Sequence, residues 1–592
     1  MILALRLRRL LLSTLLGAAS ASAQTFVWTG LTDGNWATAS NWDVGAPTGG
    51  ATTVVRFNTA TTLATTNNLG GGLTLNQLSF GADAGARTVD GNALTFAGTT
   101  PTVSSQATAG HVTVNAPLVL PTTLTVVGGP LETAQLFLYG AASGAGGFTI
   151  NSGIVVLGGS GSTYTGETRV QTGAQLGGAR TGALGASSAL VVESGGHFQV
   201  IRSNSTTLTS IDRPLTLAGL LSSASKMVDF FDTPITPTFY SGAITLSGAA
   251  EIKAFGATGP GFDAVALEVS GAIGRAGHTL TLSTGGANNT VRLTNTAAIS
   301  GDGGLTLRPD GGTLILGGNV SGNGNVTVTG SGGSITMAAL GGDGELNVGF
   351  GSLGAIGIGG VVSGARNVAV SSGTLTLANA ANTFTGSISL SDTGRIIIPN
   401  ENALGHAANT LTFTHGGQLQ FTGAGNLTRA ITTTGGTAAL VFNANSRTVS
   451  SHITGTGGVA LNNFFNQSIT TLTGNNTFAG GLSIGGNVIV SFSTDANLGA
   501  AGGTLQLAGG SLSLPTGYTL SRAVEITAAH GNISGNTGAA HTIAGNLTGD
   551  GRLTLGGATT YTLSGTNTHA GGIALAGNVG NPTVLQIGRA HV

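Results

Sequence analysis

Two aspartates three residues apart, Asp229 and Asp232, form a dense acidic pair inside an aromatic and proline-rich stretch from Lys226 to Tyr240. Two carboxyl groups gathered on one outer face are what cleavage of a glycosidic bond requires. Residues three apart do not share a strand face, however, and Pro234 and Pro237 point to a loop that leaves the regular structure. The stretch reads as a solvated loop with Phe230 and Phe231 tucked beneath it; a catalytic or glycan-binding loop is the alternative. Ten histidines are scattered without His-x-x-x-His spacing, and cysteine is absent, so a zinc site has no ligand set. His406 and His415 flank a turn, a structural place for them. Gly481-Leu482-Ser483-Ile484-Gly485 has nucleophile-elbow spacing, but that motif needs a strand-to-helix turn and the phrase sits in a β repeat, where abundant Gly and Ser produce it by chance. Asp302, Asp343 and Asp550 each occupy a Gly-rich turn. Gly341-Gly342-Asp343-Gly344 has the form of one calcium β-roll turn, yet such sites need tandem nonapeptides on consecutive coils, so turn formation is the better reading. No helix follows the Gly-x-Gly phrases to hold a phosphate. No catalytic, cofactor-binding or metal-binding residue is assigned, and no cofactor.

The elements carrying these residues are strands. Runs such as Thr374-Leu375-Thr376-Leu377, Ser387-Ile388-Ser389-Leu390 and Thr504-Leu505-Gln506-Leu507 alternate apolar and polar residues with period two, which puts one set on a buried face and the other on an exposed one. Gly, Asn and Asp gather at the ends of the runs, where left-handed backbone is needed. No amphipathic helix is evident after residue 24. Over this pattern lies a repeat: Thr163-Tyr164-Thr165-Gly166, Asn382-Thr383-Phe384-Thr385-Gly386, Asn476-Thr477-Phe478-Ala479-Gly480 and a degraded Asn567-Thr568-His569-Ala570-Gly571. From the aromatic of the first three copies, the next Leu-Gly begins 20 residues on, at Leu184, Leu404 and Leu498, and a Gly-Gly turn follows. Fixed offsets mean fixed geometry. One sandwich of this length would exceed the usual size of a single core, whereas stacked coils bury a narrow core of any length. A parallel β-helix of roughly 22 residues per coil, on the order of 25 coils, fits best.

Of 592 residues 103 are Gly, 7% are charged and 40% hydrophobic; disorder needs the opposite balance of charge and hydrophobicity. A formal charge of −1 with no basic stripe argues against nucleic acid, which is held by phosphate neutralisation. Met1 to Ala23 has the parts of a secretory signal: Arg6, Arg8 and Arg9, the apolar Leu10 to Ala18, and Ala21-Ser22-Ala23 before Gln24. A membrane anchor is the alternative, with a run short for a bilayer. The final residues 587–592, Ile-Gly-Arg-Ala-His-Val, are the one-frame translation of a common sequencing adapter beginning AGATCGGAAGAGC. They are read as an artefact, and the chain as an N-terminal fragment.

The Asn-Thr-Phe/Tyr-x-Gly phrase, the Leu-Gly about twenty residues later and the following Gly-Gly-x-Leu resemble the autotransporter-associated β-strand repeat, or passenger-associated transport repeat. Copies near 374–420 and 467–514 match well; those near 155–198 and 560–586 are weaker. The resemblance implies an all-β, right-handed parallel β-helix (β-solenoid) spanning 61–586, exported to the bacterial surface, with repeats that assist export and folding there. A C-terminal barrel in the outer membrane, or a short anchoring tail, is expected beyond Gln586, and the membrane enters only through it. The three tryptophans, in Trp28-Thr29-Gly30, Asp33-Gly34-Asn35-Trp36 and Ser40-Asn41-Trp42, resemble the opening segment of large proteins of this class. Residues 24–60 are read as an end cap, since a solenoid must cover its exposed core end, with a sugar-stacking site as the alternative. The expected function is a non-enzymatic surface rod with a glycan, matrix or cell-surface partner. The alternatives are a polysaccharide lyase or hydrolase, and a self-associating fibre.

Overall fold

The computed structural model describes residues 24–587 except 179–181, 202–209, 224–237, 256–266, 286–291, 352–353, 443–445, 464–465 and 578–579. Residues 1–23, which carry the expected secretory signal, Asp229, Asp232 and residues 588–592 lie outside the described residues. Ile587, assigned above to the foreign tail, ends the strand Val584–Ile587 and pairs with Leu563. The chain divides into two compact units, Met1–Ala257 and Thr258–Val592.

Each unit is a parallel β-solenoid. In the first, one file of strands runs Val54–Phe57, Gln77–Phe80, Thr102–Ser105 and Leu124–Val127, pairing Val54 with Gln77, Gln77 with Thr102 and Thr102 with Thr125. The chain thus advances 23 to 25 residues per coil. Two further files complete each coil: Ala64–Asn67, Thr88–Gly91 and Val112–Val114 in one, and Leu73–Leu75, Leu94–Phe96 and Leu118–Val119 in the other. The second unit repeats the scheme with tighter coils. Val326 pairs with Leu346, and Leu346 with Val368, advances of 20 and 22 residues.

The period-two pattern explains why these residues stack. In Leu305–Arg308 the leucines are buried and Thr306 is partly exposed, and parallel register places each buried residue over its counterpart one coil away. One apolar ladder runs Leu305, Val326, Leu346, Val368, Ile388, Leu411, Ile431 and Ile453. A second runs Leu314, Ile335, Ile356, Leu375, Ile396, Leu419, Leu440 and Leu461. All sixteen side chains are at most 2% exposed, each worth about 1.5–3 kcal/mol relative to exposure. Four short 3-10 turns, Ala39–Asn41, Ala82–Ala84, Glu401–Leu404 and Asp495–Leu498, are the helical elements among the described residues. The last two carry the Leu of the Leu-Gly pairs, a detail that strand periodicity does not foretell.

Candidate functional site: the coil lock, the tryptophan cap and the turn ladders

The repeat phrase and its distant Leu-Gly meet across one coil. Tyr164, Phe384 and Phe478 are buried to 1% exposure or less, and the glycines of the pairs, Gly185, Gly405 and Gly499, follow them by 21 residues. Gly405 has φ +75°, and a Cβ there would lie 2.5 Å from the Phe384 carbonyl oxygen and 2.7 Å from its ring. At Gly499, φ +95°, a Cβ would lie as close to the Phe478 ring, 2.7 Å. No side chain fits between the ring and the next coil, and only glycine adopts this backbone without strain. The same step is fastened by amides: His406 N donates to Phe384 O, and Ala500 N to Phe478 O, each at 2.9 Å.

The asparagine of the phrase bonds in both directions along the stack. Asn382 is 6% exposed; its Oδ1 accepts from Val362 N at 2.8 Å, one coil back, and its Nδ2 donates to Ala403 O at 2.7 Å, one coil ahead. Asn476 does the same with Ile453 N at 2.9 Å and Asn497 O at 2.6 Å. Buried backbone groups left unpaired cost about 1–3 kcal/mol each, so this side chain supplies what the strand ladder does not. In the first copy Ser162 stands there, with Oγ accepting from Ala142 N at 3.0 Å. In the degraded copy Asn567 keeps the backward bond to Leu547 N at 3.2 Å, while His569 replaces the core aromatic.

A third component has no counterpart in the sequence reading. Arg429 and Arg522, 5% and 3% exposed, insert into the preceding Leu-Gly corner. Arg522 donates Nε to Asp495 Oδ1 at 2.8 Å, Nη1 to Ala500 O at 2.6 Å and Nη2 to Gly499 O at 2.7 Å. Arg429 Nη2 reaches Gly405 O at 2.6 Å, its Nη1 reaches His406 O, and its Nε lies 3.4 Å from Glu401 Oε1. The hydrogen bond from Arg522 holds the Asp495 carboxyl below the usual carboxylate range. Burial pulls Arg447, which clamps the Gly423 and Gly425 carbonyls at 2.6 Å, down to about 10, so it stays charged at neutral pH. The available signal was a recurring Leu-x-Arg-x-apolar, Leu427 to Ile431 and Leu520 to Val524.

Several of the residues weighed for chemistry sit in turns. Asp302 Oδ1 accepts from Asn323 N at 2.8 Å, Asn323 Oδ1 from Asp343 N at 3.0 Å, and Asp343 Oδ1 from Ala365 N at 2.7 Å, a ladder of side-chain caps down one corner. Asp550 is exposed at a bend. Ser483 lies on the strand Leu482–Gly485 and donates to Gln506 Oε1 at 2.8 Å, not at a strand-to-helix turn. His406 Nδ1 accepts from Ala408 N at 3.2 Å, and His415 takes φ +57° in its turn. Among the described residues no three of His, Asp and Glu gather as a metal-holding group.

The three tryptophans form one buried cluster. Trp28, Trp36 and Trp42 are 0%, 0% and 4% exposed. Trp42 meets Trp28 and Trp36 edge-on at 4.9 and 5.6 Å, and all three pack on Phe57. Asp33 knots the connecting loop, accepting from Asn35 N, Thr38 Oγ1 and Asn41 Nδ2. A sugar platform needs an open ring face, and these rings cover the core.

No family model matches the chain, and no solved structure matches it. A stretch of 186 residues, 30% of the chain, is 31% identical to the adhesin BmaC autotransporter of Brucella suis biovar 1 (strain 1330). The match spans 5% of that protein's length.

Proposed function

We propose that this chain is passenger sequence of an exported bacterial surface protein and that its work is adhesion. The observation that carries the reading is the 186-residue similarity to an autotransporter adhesin, on a chain whose aromatic and Leu-Gly phrases lock consecutive coils. The faces turned to solvent suit contact rather than catalysis. Thr306, Thr327, Asn347, Ala369, Ser389, Thr412, Thr432 and Thr454 form one outward file, hydroxyl-rich and uncharged, a broad surface of donors and acceptors about 4.8 Å apart.

The locks also suit export. Each acts between a coil and its neighbour, so stacking can proceed coil by coil as the chain emerges, without distant contacts. Beads coated with the full chain test the adhesive reading: saturable attachment to epithelial cells or matrix above albumin-coated beads supports it. Release of reducing or unsaturated ends from a polysaccharide panel would instead make the chain an enzyme.

A further inference from the structure

The arginine slot filled in two corners is differently arranged in the third. Arg213 lies in Ile211-Asp212-Arg213-Pro214-Leu215, the counterpart of Leu427 to Ile431 and Leu520 to Val524. From the corner glycine, Arg429 and Arg522 follow at 24 and 23 residues, but Arg213 follows Gly185 at 28. Its side chain is 32% exposed, with Nε 3.4 Å from Asp212 Oδ1, itself 70% exposed. Between the corner and this coil lies a cavity of about 440 Å³, lined by Leu184, Gly185, Ser210, Asp212, Arg213 and Ser241 among others.

The place of the acid differs as well. A carboxylate offsets part of the cost of taking a guanidinium out of water, as backbone carbonyls do at Arg447. Glu401 and Asp495, each four residues before the corner glycine, supply one, whereas Thr181 occupies that place in the first corner. The acid stands instead beside the arginine, at Asp212, where the other copies have Thr428 and Ser521. Asp212 pairs with Arg213 at the mouth, and the Tyr240 hydroxyl donates to Arg213 O at 2.6 Å.

We infer that this cavity binds a neutral polyhydroxylated ligand, a hexose unit of a glycan. Its walls mix Asp212 as acceptor, Arg213 as donor, and the Ser210 and Ser241 hydroxyls, 2.9 Å apart, as either. The two charges cancel. A cation would meet Arg213 and an anion would meet Asp212, whereas vicinal hydroxyls satisfy both, and the volume lies in the range of small-ligand sites. The inference rests on the adhesive reading and names its ligand class.

The test titrates the full chain with the methyl glycosides of glucose, galactose, mannose and N-acetylglucosamine, and with short neutral oligosaccharides, by NMR. Agmatine and inorganic phosphate are the charged probes. Saturable binding of a neutral sugar is expected, weakened about tenfold, or about 1.4 kcal/mol, in Asp212→Ser and in Arg213→Ala. Ser483→Ala should bind as the parent does, and thermal melting of the two mouth variants should match the parent. Tighter oligosaccharide than monosaccharide binding would mark a glycan rather than a free sugar as the source. The inference is overturned if no neutral sugar binds up to its solubility limit, if agmatine or phosphate binds in preference, or if both mouth variants bind normally. A chain that coats adherent beads yet binds no sugar would sink this site and leave the adhesive reading standing.

Discussion

Gly405→Ala is the sharpest perturbation of the coil lock. The new methyl would lie 2.5 Å from the Phe384 carbonyl oxygen and 2.7 Å from its ring, on a backbone at φ +75°. Backbone strain of that kind costs about 1–3 kcal/mol, and overpacking a filled core about 1–3 kcal/mol more, so the step should weaken by about 2–6 kcal/mol. Stacked coils need not unfold as one transition, so the assay is amide hydrogen exchange resolved by peptide. Amides of residues 384–406 should exchange about thirtyfold faster or more, while residues 24–60 stay as they are. Gly357→Ala is the control, because a Cβ there meets nothing within 4 Å and replacing a strand glycine stabilises by about 0.5–1 kcal/mol. Adding Phe384→Leu should relieve part of the clash and couple to Gly405→Ala by about 0.5–3 kcal/mol. Exchange in Gly405→Ala indistinguishable from that in Gly357→Ala would refute the stacking of ring on glycine.

Asn382→Ala strips partners from Val362 N and Ala403 O and should cost about 2–6 kcal/mol for two buried groups, read as faster exchange at 362 and at the 401–404 turn. Asn382→Ser, which copies Ser162, should restore part of the protection. Trp36→Ala should loosen the cap by about 3–5 kcal/mol, seen as early loss of tryptophan fluorescence on heating, while leaving attachment of the remaining folded coils to cells unchanged. Burial pushes His197 down to about 4, so the folded chain keeps this imidazole neutral while the unfolded chain protonates it near 6.5. Its contribution is present above about pH 6.5 and is lost as pH falls toward 4, about 3 kcal/mol across that span. His111 and His541 shift in the same direction. Melting temperature should therefore drop between pH 7 and pH 4.5, and less steeply in His197→Gln.

The all-β solenoid was legible because alternation such as Thr374-Leu375-Thr376-Leu377 maps directly onto a buried and an exposed face. The offset from Phe384 to Leu404-Gly405 was legible for a steric reason: a ring and a glycine that touch across one coil must recur at the length of one coil. What Asn382 does was not. Its two bonds run to residues 20 and 21 positions away, and nothing local to the phrase points to them. Arg429 and Arg522 were missed because a sparse charge in a polar, Gly-rich chain reads as surface, although each stands 23 or 24 residues after its corner glycine. Asp302 and Asp343 were read as turn formers, but their bonding from coil to coil, through Asn323, requires the register that the parallel pairing supplies.

The central claim, that this locked stack is an adhesive surface passenger, meets its most direct test in attachment of beads carrying the full chain. The account predicts saturable attachment to cells or matrix, blocked by soluble chain and lost when Gly405→Ala and Asn382→Ala together loosen the coils. Attachment no greater than that of albumin-coated beads, or equal attachment by heat-unfolded chain, would contradict it.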